Sequence, residues 1–293
     1  MHGREESHVV QCGREIGVSE MEEIRETVRT FCRLSRTELA MTICEHLGWH
    51  SVTGSPKMDA CMKLLEKLES QGLLSLPQKR AVSPKERSPL YRTERTAPQT
   101  QIECGLREVG TVRLEVVRGR EETKLWNEYV HRYHYLGYKQ PFGCFARYFV
   151  ESDHGKLGCL LFSGAAKALR RRDRWIGWSE SARLRNLGLV VNNARFVVFP
   201  WANVKNLASH VLGQVVRRIR DDWEKRWSYR PVLLETFVDP VRFEGTCYQA
   251  ANWQYLGMTS GEGLVRKGKM YATSPKKIFV KPLADDFRTV LCS

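Results

Sequence analysis

Four short strings carry side chains whose types and spacing could do chemistry. RYHYLGY puts His134 between Tyr133 and Tyr135, which offers a general base, two hydroxyl donors and aromatic faces for stacking a base. VVNNAR interrupts an apolar strand with Asn192, Asn193 and Arg195, and alternation puts Asn193 and Arg195 on one face. Polar groups in mid-strand are costly unless partnered, so they either line a site or pair inside the core. From such a face Arg195 could clamp a phosphate bidentately, while Asn193 could read a base edge or orient a nucleophile. ETFVDP sets Glu235 and Asp239 four residues apart, on one face of a continuing strand. In a basic protein that pair could hold Mg2+ or serve as general acid and base, or it could pair with Arg195 or Arg242. In GTCYQAANW, Tyr248 could act as an acid or nucleophile, whereas Cys247 reads as core.

The elements around these strings follow from periodicity. RFVVFPWANVKNLASHVLGQVV runs from a β-branched strand through Pro200 into a helix, the order that usually grips a phosphate, yet no glycine lies between Pro200 and Leu212. Asn206 tolerates the left-handed conformation better than other non-glycine residues, and Ser209 beside it could hold an anion. The long helix that follows turns Leu207, Val211, Val215 and Ile219 inward, and RPVLLETFVD reads as a strand buried on both faces.

Composition narrows the class. The 293 residues carry 47 Lys and Arg against 33 Asp and Glu, a net +14 that points to a polyanion partner. No run of eighteen apolar residues and no leader pattern occurs, so a cytoplasmic protein with no membrane partner is expected. The 9 Cys are scattered with no CxxC pair, against a disulfide framework or a zinc knuckle.

Residues 1–77 read as a helical module. A helix near 19–31 precedes SRTELAMTICEHLGW, where Ser35 and Glu38 have capping-box spacing, and a third helix opens at Ser55-Pro56. GLLSLP then reads as a strand, giving a winged-helix-like order whose third helix would present Lys57, Lys63 and Lys67 to DNA; a plain helical bundle is the alternative. Residues 78–105 form a basic Pro/Ser linker, either a tether or an arm on nucleic acid.

Residues 106–293 give the order β-α-β-β-β-α-β-α-β-β, an α+β fold that resembles the GNAT acyltransferases, with a mixed sheet split before the long helix. That resemblance implies acyl-CoA and puts Asn203, Asn206 and Ala208 at the positions of the loop that wraps its pyrophosphate; the missing glycines make acyl-CoA doubtful. AAKALRRRDRWIGWSESARLRN, with seven basic and two acidic residues, reads as surface, and Arg171, Arg172 and Arg174 are its candidate phosphate contacts.

The strings RYHYLGY, IGWSE, LVVNNARFVVFPW, NLASHVL, LLETFVDPVRFEGTCYQAANW and LGMTSG resemble the DruA family over about residues 15–285. The resemblance implies a component of the Druantia anti-phage defence system, with relatives associated with transposable elements. The Tyr-His-Tyr string is also similar to one in the phage Mom-type DNA modifiers. The expected function is a nucleic-acid-binding defence component acting on single- or double-stranded DNA in a GNAT-derived cleft, with other defence proteins, such as a helicase, as further partners. The alternatives are a metal-dependent DNA-cleaving or strand-transfer protein using Glu235 and Asp239, and a non-catalytic recognition subunit.

Overall fold

A computed structural model describes residues 9–32, 34–52, 54–78, 92–141, 143–261 and 274–293. By contacts the chain falls into two units: Met1–Arg87 with Ser179–Gly188, and Ser88–Trp178 with Leu189–Leu291. Each has its own apolar core.

The first unit opens with a two-stranded antiparallel hairpin, β1 (Val9–Gln11) and β2 (Arg14–Ile16), followed by α1 (Val18–Thr30), α2 (Arg36–His46) and α3 (Met58–Ser70). The capping box forms at α2: Ser35 Oγ accepts from the Glu38 N–H and the Glu38 carboxylate accepts from the Ser35 N–H. α3 starts two residues later than Ser55-Pro56 suggests, because Pro56 pairs with His50 and the Lys57 N–H donates to Trp49 O. The strand expected at GLLSLP does not form. Glu69 accepts the Leu76 N–H and Arg36 holds Pro77 O, so side chains of α2 and α3 take the groups a ladder would use. The hairpin instead precedes α1, and the winged-helix order is not the one found. Lys63 and Lys67 are exposed, whereas Lys57, at the N-cap of α3, is half-buried.

In the second unit β3 (Ile102–Cys104) precedes β4 (Arg113–Val116), α4 (Gly119–Tyr133), β5 (Phe145–Ser152), β6 (Gly155–Gly164) and α5 (Arg170–Ile176). After α6 (Glu180–Asn186), which contacts assign to the first unit, come β7 (Val190–Val198), β8 (Ala202–Val204), α7 (Leu207–Trp227) and β9 (Leu233–Val238). The chain closes with α8 (Thr246–Ala250), β10 (Gln254–Met258), β11 (Lys277–Pro282) and α9 (Phe287–Cys292). Seven strands form one sheet in the order β10-β11-β9-β7-β6-β5-β4, antiparallel except where β7 meets β9. The seven sheet strands with α4, α7 and α8 follow the expected alternation of a mixed α+β fold, while β3, α5, α6, β8 and α9 come in addition to it. α7 buries Leu207, Val211, Val215 and Ile219 as its spacing dictates, and Leu212 and Trp223 as well.

Two stretches depart from the sequence reading. Of residues 78–105, positions 79–91 lie outside the described residues, but the remainder is folded. Glu128 of α4 accepts from Thr93 and, at 2.6 Å, from Thr96 Oγ1, and β3 pairs in parallel with β8. The basic stretch from Ala165 to Asn186 is not all surface: Arg172 is fully buried, with Trp178, Ala182 and Asn186 also inside. Among the described residues no helix is long and apolar enough to cross a membrane.

Candidate binding cavity

β7 and β9 run parallel for four register pairs, from Val190↔Leu233 to Asn193↔Thr236, and then part. β7 stays on β6 as far as Val198↔Gly158, while β9 stays on β11. A register shift opposite Leu161 and Phe162 leaves Ala194 as the extra residue on β7, a bulge of the kind that bends a strand and re-aims its side chains. Gly158 lets the two strands approach, since a Cβ there would sit 2.4 Å from Val197 O. In the wedge so opened lies a cavity of about 550 Å³, within the range that holds one small ligand.

Three further segments complete its wall. At the end of α4 the His134 N–H still donates to Val130 O, then Gly137 turns back onto His134 O at 2.7 Å. This turn sets His134 inward and Tyr135 at the mouth; their rings stack at 4.9 Å. Past β9, Asp239 accepts the Val241 N–H on its carboxylate and the Phe243 N–H on its carbonyl, which folds Val241–Glu244 into a turn. Gly245, at φ +81, caps α8, and a Cβ there would come within 2.7 Å of the Phe279 ring. α8 in turn delivers Tyr248.

Of the residues singled out from the sequence, Tyr133, His134, Tyr135, Asn193, Arg195, Asp239 and Tyr248 line this one cavity. Their hydrogen bonds assign them different parts. Tyr248 donates to Asn193 Oδ1 at 2.7 Å, Thr236 Oγ1 donates to Asn193 O at 3.0 Å, and Asn193 Nδ2 donates to Leu161 O and Arg195 O. These bonds close a floor in which each polar group has a partner, and burial pushes the Tyr248 hydroxyl well above its ordinary pKa. Tyr133 turns its hydroxyl to Thr96 O at 2.6 Å, so only its ring is left for the cavity.

His134 Nδ1 accepts from the Leu136 N–H at 3.2 Å. In the neutral ring the proton therefore sits on Nε2, making His134 a hydrogen-bond donor rather than the general base expected from its type. Burial, aided by the charge of Arg195, holds its pKa down to about 4, so the ring is neutral at pH 7.

Arg195 is half-buried. Its Nε donates to Gly137 O at 3.1 Å and its Nη1 to Ala194 O at 2.7 Å. Among the described residues no carboxylate lies within ion-pair distance of it, and burial depresses its pKa. Arg242 stands at the mouth, 3.9 Å from Asp239 and with its Cζ 5.0 Å from the Tyr135 centroid.

Several expected contributors lie elsewhere. Glu235 is fully buried in an ion pair with Arg172, Nη1 to Oε2 at 2.8 Å, and accepts the Ala166 N–H at 2.7 Å. Arg172 also bonds Ala166 O and Asp173, so it is an internal residue and not a phosphate contact; Arg171 and Arg174 of α5 are exposed. Glu235 is taken up by Arg172 and Ala166 while Asp239, one residue past β9, lines the cavity without it, so the structure does not bring the expected carboxylate pair together at one site. Among the described residues no group of three or more His, Cys, Asp or Glu could hold a metal ion.

Asn206 takes the left-handed conformation at φ +64, as an Asn in a glycine's place can, and Ser209 Oγ bonds Asn206 O. Neither lines the cavity, though Ala208 does. The loop between them and β7 does not fit an acyl-CoA pyrophosphate. It pairs as β8 with β3, the Lys205 N–H donating to Cys104 O and the Ala202 N–H to Phe199 O. Sequence reasoning passed over Thr236 and Phe243; a hydroxyl inside the apolar run LLETFV was the available signal for the first.

The DruA family model, described as Druantia protein DruA, matches residues 67–273. No curated protein matches the chain. Among solved structures, a Bacillus subtilis acetyltransferase in complex with CoA is 7% identical and aligns over 59% of this chain and 100% of its own, with a TM-score of 0.38. A Drosophila melanogaster polyamine N-acetyltransferase is 11% identical over 59% and 100%, with a TM-score of 0.37. An N-acyl amino acid synthase from uncultured soil microbes is 11% identical over 61% and 93%, with a TM-score of 0.35. At such scores the architecture rests on the strand order itself, and nothing those proteins bind is transferred to this chain.

Proposed function

The chain belongs to the DruA family, and from that membership and the character of its cavity we propose that it serves the Druantia anti-phage defence by taking part of a DNA strand between β7 and β9. The supporting observation is Arg195: a half-buried guanidinium whose hydrogen-bond partners among the described residues are carbonyls, on the wall of a cavity large enough for one small ligand. Removing a cation from water is costly unless an anion replaces the lost hydration. A phosphate does so bidentately, and the net charge of +14 favours a polyanion as its source. The Nε2–H of His134 adds a neutral donor for an oxygen or ring nitrogen of the same ligand.

Recognition without turnover is favoured by the closed floor: Asn193, Thr236, Tyr248 and the Nδ1 lone pair of His134 are all spent on internal bonds. A modifying reaction would fall to Asp239, the cavity carboxylate whose cation, Arg242, stands off at 3.9 Å; Glu244 pairs with Lys277. Labelled oligonucleotides titrated into the full chain test the binding role. Arg195→Gln should weaken binding about 10- to 100-fold, the share expected of a charge-assisted contact. Equal affinity of the variant and the parent protein, or no binding by either, defeats the reading. Asp239→Asn then separates the two roles: loss of phage protection with DNA binding retained marks an enzyme, and retention of both marks a recognition subunit.

A further inference from the structure

The mouth of the cavity is unusual for a basic protein surface. Of its lining residues Phe243 is 53% exposed, Leu136 48% and Tyr135 37%. These residues come from two separate turns, yet Tyr135 and Phe243 lie 5.6 Å apart between ring centroids, tilted at 58°, and the Arg242 guanidinium caps the Tyr135 ring. Isolated exposed apolar residues need no explanation, but aromatic faces joined to a cation at the rim of a cavity do.

We propose that this rim is a stacking platform for single-stranded DNA, with one unstacked nucleotide entering the cavity and its neighbours resting on Tyr135 and Phe243. The proposal rests on the DNA-binding reading above and adds strandedness to it. Arg195, half-buried, and His134, buried, line the cavity of about 550 Å³ together with the exposed Tyr135 and Phe243. A base in a duplex is stacked on both sides and paired on its edge, and it reaches groups so buried only by leaving the stack. Single strands carry no such penalty, and their bases stack on exposed aromatic rings whatever the sequence. The cations also select this occupant over an apolar peptide segment. Such a segment would use the rim but leave Arg195 without an anion, whereas a nucleotide strand supplies phosphate and ring faces together.

The test uses the full chain and one sequence in two forms, a 12-mer carrying 2-aminopurine, single-stranded or annealed to its complement, at one fixed salt concentration. The single strand should bind at least 10-fold more tightly, and the 2-aminopurine emission should change on binding. Tyr135→Leu and Phe243→Ala should each weaken single-strand binding about 10-fold, leave the weaker duplex affinity unchanged and leave the melting temperature unchanged, since both side chains are exposed; Phe243→Tyr should restore binding. Equal affinity for the two forms, or rim variants that bind like the parent protein while Arg195→Gln still fails, overturns the platform and leaves the cavity reading standing. Tight binding of a free mononucleotide that the rim variants do not alter overturns it as well. If no DNA of either form binds, both readings fall together.

Discussion

Two polar clusters sit within a few residues of each other along β9, and the chain treats them in opposite ways. At Glu235 every charge is answered: Arg172 and the Ala166 N–H hold the carboxylate, Asp173 takes the other side of Arg172, and the Trp178 ring lies against the guanidinium, its centroid 5.5 Å from Cζ. Where β7 and β9 part, Arg195 has carbonyls for partners and His134 keeps one donor unspent. Burial is costly in both places, raising the Glu235 carboxyl above its ordinary pKa, but only in the first cluster does an opposite charge within the fold offset part of that cost. The closed cluster therefore reads as architecture, a clamp fixing the start of α5 to β9, and the open one as a place prepared for something from outside. Charge type alone does not separate them, since both contain arginine and carboxylate. What separates them is whether the partner is already present.

The sharpest test of that contrast is to remove a charge from the closed cluster. Glu235→Gln leaves the fully buried Arg172 without its main counter-charge, and a loss of about 3 kcal/mol is expected in chemical denaturation. Arg172→Met should cost a similar amount by stranding Glu235. The paired replacement Arg172→Met with Glu235→Leu should recover most of it, because a pair of apolar side chains strands no charge. If instead Arg195→Gln proves the more destabilising change, the assignment of the two clusters is reversed.

His134 sharpens the contrast through pH. Its pKa falls from 6.5 to about 4 on folding, so the unfolded chain binds the extra proton first. The contribution of the neutral ring is whole above about pH 6.5 and is lost as pH drops toward 4, for a total of about 3 kcal/mol. Urea midpoints measured between pH 4 and 7 should show this slope, and His134→Gln should flatten it. A variant with the parent's slope would mean that His134 is ordinarily solvated and no part of a buried donor set.

The contrast was only half visible in the sequence, for a physical reason. Features set by neighbours in the chain were legible: the Ser35 capping box, the inward face of α7, the left-handed tolerance of Asn206 and the succession of strands with α4, α7 and α8 along the second unit. The stretches that gather around the cavity were legible too, because polar residues in apolar runs stand out. What stayed hidden depends on partners far along the chain. Arg172 lies 63 positions from Glu235, so nothing local marks that carboxylate as already engaged. β3 takes the main-chain groups of β8 across about a hundred residues, which turns the expected phosphate loop into a strand. The expected common face of Glu235 and Asp239 assumed a strand one residue longer than the one that forms. Likewise the strand expected after α3 failed because Glu69 and Arg36 took its hydrogen bonds.

The smallest expected effect concerns the floor between the two clusters, where Tyr248, Asn193 and Thr236 satisfy one another. Tyr248→Phe keeps the ring stacked on Phe279 and removes only the donor to Asn193 Oδ1, leaving a buried acceptor short of one bond. That should cost about 1–2 kcal/mol of stability. Because the hydroxyl faces Asn193 and not a ligand, oligonucleotide affinity at a temperature well below the melting midpoint should stay within about 2-fold of the parent. A stable variant that loses affinity would place Tyr248 among the groups that touch the ligand. The floor would then belong to the open cluster, and the boundary between architecture and site would have to be redrawn one residue layer deeper.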